Sequence, residues 1–66
     1  MKPISRRQRE VCDKMILGWS SKEIAESLGI SARTVEDHRQ AILGKYGVRN
    51  VVELVRAVYQ IGEAGE

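Results

Sequence analysis

Cysteine is almost absent from this 66-residue chain, in which Cys12 stands alone. One cysteine excludes a disulfide framework and a pair of sulfur ligands for zinc, and it is typical of a reducing compartment. The positively charged start, MKPISRRQRE, is followed by no apolar run, and no stretch is long and apolar enough to span a bilayer. We therefore expect no signal peptide, no membrane partner and a cytoplasmic location.

The residues of an active site are also missing. The single histidine, His38, has no second His and no Asp at the spacing of a metal site or a triad. The sequence offers no Gly-rich phosphate loop and no nucleophile with a base. We expect no enzyme, metal or cofactor. His38 is interpreted as a packed histidine and Cys12 as a small buried hydrophobe.

Charge is present in both signs, with a formal net charge of +2 and a pI near 9.0. This balance permits an anionic partner without demanding one. The position of the basic residues says more than their total, because they cluster at the N-terminal end and in the central segment. These clusters contain Lys2, Arg6, Arg7 and Arg9, and then Lys22, Arg33, Arg39, Lys45 and Arg49.

The chain is long enough for one domain, residues 1–66. The regular placement of glycines and helix-capping residues predicts an all-α fold. A glycine follows each apolar-periodic run, where a left-handed residue would end a helix. These glycines are Gly18, Gly29, Gly47 and Gly62. The predicted helices span about residues 5–17, 20–28, 31–46 and 50–61.

The helix starts carry capping signals. Ser5 with Gln8 and Ser20 with Glu23 fit a capping box, and Asn50 with Glu53 is a looser version. Ser31 is the predicted cap of the third helix.

The apolar stripes predict a three-helix core that the fourth helix closes. In the first three helices the stripes contain Val11, Cys12, Met15 and Ile16, then Ile24, Ala25 and Leu28, then Val35, Ile42 and Tyr46. The fourth helix is apolar over more than half of its circumference. We interpret Val51, Val55, Val58 and Tyr59 as core-facing, which would leave Leu54, Ala57 and Ile61 exposed as an interface.

Only Gly29 and Ile30 lie between the second and third predicted helices. Such a connection is typical of a helix-turn-helix, in which the second helix of the pair projects and can enter the major groove of DNA. Arg33, Glu36 and Asp37 lie on its outer face together with Gln40 and Gly44. The alternative is a helical bundle that never touches nucleic acid, since short helix pairs with glycine turns occur in many bundles.

Residues 4–55 resemble the LuxR/FixJ-type helix-turn-helix, the effector domain of many bacterial response regulators and quorum sensors, without an insertion. That family usually reads Leu-Thr-x-Arg-Glu-x-Glu-Val, Gly-x-Ser-Asn-Lys-Glu-Ile-Ala, Thr-Val-x-x-His and Lys-Leu-Gly-Val. The residues in register are Arg7, Glu10, Val11, Gly18, Ser20, Lys22, Glu23, Ile24, Ala25, Leu28, Ser31, Thr34, Val35, His38, Lys45, Gly47 and Val48. Gln8 replaces a usual Glu, and Gly44 stands where Lys or Arg is common.

The resemblance implies a sequence-specific, dimeric DNA-binding domain of a bacterial transcription regulator, with double-stranded DNA as its partner. It also implies a possible upstream receiver or ligand-binding domain, contact with RNA polymerase, and a nucleoid location when DNA is bound. Glu36 and Asp37 occupy the two positions that often contact base edges in that family. Gln40 has the same exposure and could make a bidentate contact to adenine, so we assign base readout to Glu36, Asp37 and Gln40. Thr34, Arg39, Lys45 and Arg49 lie around the rim of the exposed face, and similar positions in the family contact the DNA backbone. The residues that we assign to phosphate contacts are Lys22, Ser31, Arg33, Thr34, Arg39, Lys45 and Arg49. The homodimer interface is assigned to Leu54, Ala57, Val58 and Ile61 on the fourth helix.

Two adjacent acids facing polyanionic DNA leave alternatives open. Glu36 or Asp37 can accept a hydrogen bond from cytosine N4. Alternatively, Asp37 pairs with Arg33 on the same helix, and Glu36 pairs with Arg39 or Gln40. The segment SKEIAESLGISARTV also resembles the promoter-recognising helix-turn-helix of sigma factors. A protein-interaction module that kept the fold and lost affinity for DNA is the alternative from a different class.

Overall fold

A computed structural model describes the backbone of residues 4–64 and the side chains of residues 4–59. The described chain is all-α, and its helices are α1 (Arg6–Ile16), α2 (Ser21–Leu28), α3 (Ala32–Tyr46) and α4 (Val51–Ala64). Among the helices of this part of the chain, none has the length and apolarity needed to cross a membrane. The predicted helices agree within a residue or two, except that α4 continues through Gly62 instead of ending there.

The helix starts follow from the predicted capping residues. Ser5 and Ser20 each form a complete capping box, with Gln8 and Glu23 respectively as the reciprocating side chains. The Ser31 hydroxyl accepts from the Thr34 backbone N–H at 3.0 Å and caps α3. Each box satisfies backbone N–H groups that the first turn leaves without a helical partner.

The turn between α2 and α3 contains only residues 29–31. Gly29 adopts a left-handed conformation with φ of 69°, which a residue with a side chain rarely adopts, and it ends α2. The Ile30 N–H donates to the Ala25 carbonyl at 3.1 Å, and the Ile30 side chain packs against the core. This is a Schellman-type turn, and it leads directly into the cap of α3.

The core draws residues from all four helices. Its buried members are Val11, Cys12, Met15, Ile24, Ala25, Val35, Ile42 and Leu54. Seven of these eight were expected in the core from the apolar stripes. Because α3 contacts α1, α2 and α4, it is the central helix of the domain.

Leu54 corrects the interpretation of α4. Its side chain is 0% exposed, so it is a core residue and not part of an exposed interface. Val51 and Val58 flank it one turn away on either side and also pack against the core. Tyr59, which was expected to face inward, is 62% exposed. A helix that is apolar over most of its circumference does not reveal from periodicity which stripe is buried, so the packing of the other helices decides it.

Candidate DNA-binding surface

The outward side of α3 carries a continuous polar stripe, which we call the recognition face. It contains Arg33, Glu36, Asp37, Gln40 and Gly44, and all of them are exposed. These residues recur at three- and four-residue intervals, so they line one side of the helix. Val35 and Ile42 hold the opposite side in the core and thereby fix which side of α3 faces solvent.

Glu36 is held by partners on two helices. One carboxylate oxygen accepts a hydrogen bond from the Ser21 hydroxyl at the start of α2. The other oxygen lies 4.0 Å from Arg39 Nε, one turn further along α3. The carboxylate that sequence analysis assigned to base readout is therefore oriented from outside its own helix as well as from within it.

Asp37 has a weaker partner. Its Oδ1 lies 3.6 Å from Arg33 Nε in an i, i+4 pair whose side chains are 71% and 87% exposed. Solvent screens such a pair, which contributes only about 0.3–0.5 kcal/mol. The two ion pairs place a positive group beside each acid of the recognition face.

Lys45 lies at the edge of the recognition face and reaches back to the first helix. Its Nζ donates to Gln8 Oε1 at 2.9 Å, in a partly buried hydrogen bond that links the end of α3 to the start of α1. The same Gln8 oxygen accepts from the Ser5 backbone N–H at 3.2 Å. One amide side chain therefore completes a capping box and positions the Lys45 ammonium group.

The remaining predicted phosphate contacts surround the ends of α2 and α3. Lys22, in the first turn of α2, is exposed, as are Ser31 and Thr34 at the start of α3 and Arg49 beyond its end. The Ser31 and Thr34 hydroxyls share a hydrogen bond of 2.9 Å. The Arg49 backbone N–H donates to Glu53 Oε1 at 2.8 Å. Ser31, Thr34 and Arg49 lie close in sequence to the ends of α3, whereas Lys22 belongs to α2.

An exposed apolar patch on α4 differs from the predicted interface. Val52 is 67% exposed, Tyr59 is 62% exposed, and the half-buried Val55 lies between them on the same side of the helix. We call these three residues the α4 patch. Of the predicted interface residues, Leu54 is buried, Val58 packs against the core, and Ala57 is half-buried. Ile61 lies outside the described side chains.

Two roles were missed by reasoning from the sequence. Ser21 was not singled out, although Ser20 and Ser21 are adjacent and only one of two adjacent hydroxyls can serve as the N-cap. Gln8 was recognised as a capping residue, but its bond to Lys45 joins residues 37 positions apart in the sequence. Such a contact leaves no local signal.

Cys12 belongs to the buried core, as the sequence predicted. Cys12 is buried, and this burial raises the pKa of its thiol, with the nearby Asp13 charge adding to the effect. A raised pKa disfavours the reactive thiolate.

The Lys14 ammonium group lies 5.0 Å from the centre of the Trp19 ring, within the range of a cation–π interaction. Among the described residues, no three His, Cys, Asp or Glu side chains are grouped so that they could hold a metal ion.

Comparison with known proteins agrees with this arrangement. Residues 2–58 match the family model described as bacterial regulatory proteins, luxR family. The chain belongs to this family. The match covers the helix-turn-helix and most of α4. Family membership identifies a helix-turn-helix domain of the DNA-binding, transcription-regulating type, and it favours the LuxR resemblance over the sigma-factor resemblance.

Several curated relatives are similar over most of this chain. The transcriptional regulatory protein UhpA of Escherichia coli K12 is 44% identical over 57 residues, which are 86% of this chain and 29% of UhpA. The transcriptional regulatory protein TdiR of Thauera aromatica is 47% identical over 55 residues, 83% of this chain and 24% of TdiR. The oxygen regulatory protein NreC of Staphylococcus aureus JH9 is 41% identical over 54 residues, 82% of this chain and 25% of NreC. The chain thus spans less than a third of the length of these relatives, and no solved structure matches it significantly.

Proposed function

We propose that this domain binds double-stranded DNA sequence-specifically, with α3 in the major groove, to regulate bacterial transcription. The observation that carries the proposal is the position of α3. It contacts each of the other helices on one side and exposes an uninterrupted polar stripe on the other. A helix that is supported in this way can enter a groove about 12 Å wide without losing its packing.

The two acids of the recognition face are compatible with this proposal because each has a basic neighbour. The Arg33–Asp37 and Arg39–Glu36 pairs offset the repulsion between the carboxylates and the phosphates. A carboxylate can accept several hydrogen bonds, so a paired acid can still accept from cytosine N4. We assign base readout to Glu36, Asp37 and Gln40, and phosphate contacts to the cationic and hydroxyl groups around them.

Dimerisation is the second part of the proposal, and it is assigned to the α4 patch in place of the residues that were expected from the sequence. Val52 and Tyr59 are large apolar side chains that the monomer leaves exposed. A two-fold axis beside α4 would bring these residues together with their counterparts. It would also present two α3 helices about one DNA turn apart on an inverted repeat.

The relatives are more than three times as long as the region that they share with this chain, and their names describe regulatory proteins. By analogy, we propose that this domain acts as the DNA-binding part of a response regulator. An upstream receiver or ligand-binding domain would supply the signal, and RNA polymerase would be a downstream partner.

The proposal is tested by selecting bound duplexes from a random pool and measuring affinity for the selected sequence against salt concentration. We expect an inverted repeat to be enriched. The logarithm of the binding constant should fall linearly with the logarithm of salt concentration, by about 0.9 per phosphate contact. If no sequence were enriched and binding were absent at low salt, DNA binding by this domain would be excluded.

The alternative is a protein-interaction module of the same fold. Three features favour it: the ion-paired acids Glu36 and Asp37, and the uncharged Gly44 at a position where the family often carries Lys or Arg. The same experiment distinguishes the two functions. A protein-interaction module would retain no duplex, whereas a DNA-binding domain with weak specificity would retain all duplexes with the same salt dependence.

A further inference from the structure

We propose that Ser21 is a specificity-determining residue of this domain, because its hydroxyl positions the Glu36 carboxylate for base readout. The inference rests on the proposed function, in which Glu36 accepts a hydrogen bond from a base. The residue that touches DNA is Glu36, and Ser21 acts on DNA only through it. Ser21 is therefore a positioning residue of the recognition face, supplied by α2.

The Ser21 hydroxyl is available for this role because the neighbouring serine performs the capping. Ser20 Oγ accepts from the Glu23 backbone N–H at 3.2 Å, and the Ser20 backbone N–H donates to Glu23 Oε1 at 2.8 Å. Ser21 is the first residue of α2, and its hydroxyl donates to Glu36. The bond crosses the interface between the two helices of the helix-turn-helix, so it couples the recognition face to the supporting helix.

The geometry leaves Glu36 able to bind a base. Ser21 occupies one carboxylate oxygen, and Arg39 lies beside the other. Each oxygen has two lone pairs, so acceptor capacity remains on both after these contacts. The side chain is still half exposed, at 54%, and is therefore accessible to a ligand.

The functional consequence is pre-organisation. An exposed glutamate has many side-chain conformations, and it loses this freedom when it binds a base. A glutamate that is already oriented by a hydrogen bond from α2 and by an ion pair within α3 loses less freedom, so more of its interaction energy contributes to discrimination between bases. Asp37 lacks such support from α2 among the described contacts, since its observed partner is the solvent-exposed Arg33 on its own helix. We therefore expect Glu36 to discriminate more strongly than Asp37.

The test uses the wild-type domain, Ser21→Ala, Glu36→Ala and the double variant. Each is titrated against the selected operator and against its single-base-pair variants. Glu36→Ala first identifies the base pair that Glu36 reads. Ser21→Ala should reduce the preference at that same base pair by about two- to tenfold, and it should have no further effect when Glu36 is already absent.

Two control variants separate positioning from general stability. Ser21→Thr keeps the hydroxyl and should restore the preference. Ser27→Ala makes the same truncation at a second serine of α2, which is exposed, and should leave the preference unchanged. Thermal unfolding followed by circular dichroism should show that all the variants are folded.

The outcomes distinguish this inference from the function on which it rests. If Glu36→Ala relaxes one base pair and Ser21→Ala does not, the positioning role is wrong while base readout by Glu36 stands. If Ser21→Ala weakens binding to all duplexes equally, Ser21 acts as a phosphate contact and the inference is also wrong. If Glu36→Ala changes no preference on an operator that the domain still selects, both readout by Glu36 and positioning by Ser21 are excluded.

Discussion

The Lys45 Nζ donates to Gln8 Oε1 at 2.9 Å, and this bond joins the last turn of α3 to the first turn of α1. Because glutamine is neutral, the bond orients the ammonium group without cancelling its charge. A glutamate, which the LuxR/FixJ pattern usually places at position 8, would form an ion pair with the lysine instead. The substitution in this chain therefore leaves more positive charge at the edge of the recognition face.

Gln8→Glu tests this relationship. The new carboxylate should still complete the capping box and should bind the Lys45 ammonium group more strongly, which raises the free energy of unfolding by about 0.5–1 kcal/mol. The same ion pair should weaken binding to all duplexes alike, because it offsets one charge that would otherwise face phosphate. Thermal unfolding measures the change in stability, and fluorescence anisotropy measures the change in affinity for DNA.

Gln8→Ala is the control, since it removes the bonds of the side chain to the Ser5 N–H and to Lys45 and should lower stability by about 1 kcal/mol. Unchanged stability and affinity in Gln8→Glu would show that the bond to Lys45 has no energetic role.

Leu54→Ala should destabilise the domain severely. The side chain is 0% exposed among residues from all four helices, and truncating a buried leucine costs about 2–5 kcal/mol. A domain of this size has a total stability of roughly 3–5 kcal/mol, so a large fraction of the variant should be unfolded at 25 °C. Urea unfolding monitored by circular dichroism measures the change. Val52→Ala, two residues earlier on the exposed side of α4, is the matched control and should shift stability by less than about 0.5 kcal/mol. A small effect at Leu54 would contradict its burial.

Val52→Glu and Tyr59→Glu should leave the domain folded and should abolish cooperative occupancy of a paired half-site. Both side chains are largely exposed, so a charge at either position costs the monomer little, whereas a dimer would bury two carboxylates against each other. Gel-shift titration on one half-site and on the inverted repeat separates intrinsic affinity from cooperativity. Leu17→Glu is the control because Leu17 is 72% exposed at the end of α1, and it adds the same charge away from α4. If all three variants lost cooperativity equally, the α4 patch would not be the interface.

The fourth helix also marks the limit of what the sequence could predict. The capping boxes and the glycine turn act within a few residues, so local chemistry was enough to predict the helix starts and the short connection of the helix-turn-helix. The apolar stripes of α1, α2 and α3 are narrow, and they predicted the buried residues of those helices. In α4 the apolar residues cover most of the circumference, and only contact with the other helices shows that Leu54 faces inward while Tyr59 does not.

The recognition face was predictable for the same reason as the core. Once Val35 and Ile42 face inward, helical geometry places Glu36, Asp37 and Gln40 outward. The partners of these residues were only partly predictable. The i, i+4 pair of Arg33 with Asp37 follows from spacing, but the bond from Ser21 to Glu36 crosses 15 residues and depends on how α2 packs against α3.

Glu23→Gln should make the domain less sensitive to acid. The Ser20 backbone N–H and then the Ser20 side chain stabilise the carboxylate, which lowers the pKa of Glu23 below its ordinary value of 4.5. The pKa of Glu23 is therefore lower in the folded state than in the unfolded state. The contribution of its carboxylate to the free energy of unfolding is complete above pH 4.5 and is lost as pH falls through the folded-state pKa. A glutamine keeps an acceptor oxygen and does not titrate, so the stability difference between wild type and Glu23→Gln should shrink below pH 4.5. Urea unfolding at a series of pH values measures this difference in the free energy of unfolding. Glu26→Gln, on the same helix, controls for the loss of one negative charge. If Glu26→Gln had the same pH profile as Glu23→Gln, a specific role for the capping carboxylate would be contradicted.

Gly44→Lys should stabilise the domain and strengthen its binding to DNA. Apart from the adjacent residues and the surrounding helix backbone, nothing lies within 4 Å of where a Cβ on Gly44 would be. Gly44 is on the exposed face of α3, so a side chain fits there. Replacing a glycine inside a helix gains about 0.5–1 kcal/mol in helix propensity. A lysine there would add one phosphate contact, which should increase the salt slope by about 0.9 and the affinity by about eightfold at 0.1 M salt. Gly44→Ala separates the two effects, since it should give the gain in stability without the change in slope. Equal salt slopes for the lysine, alanine and wild-type domains would show that position 44 does not approach the DNA backbone. The proposed orientation of α3 in the major groove would then be wrong, because it places residue 44 beside the DNA.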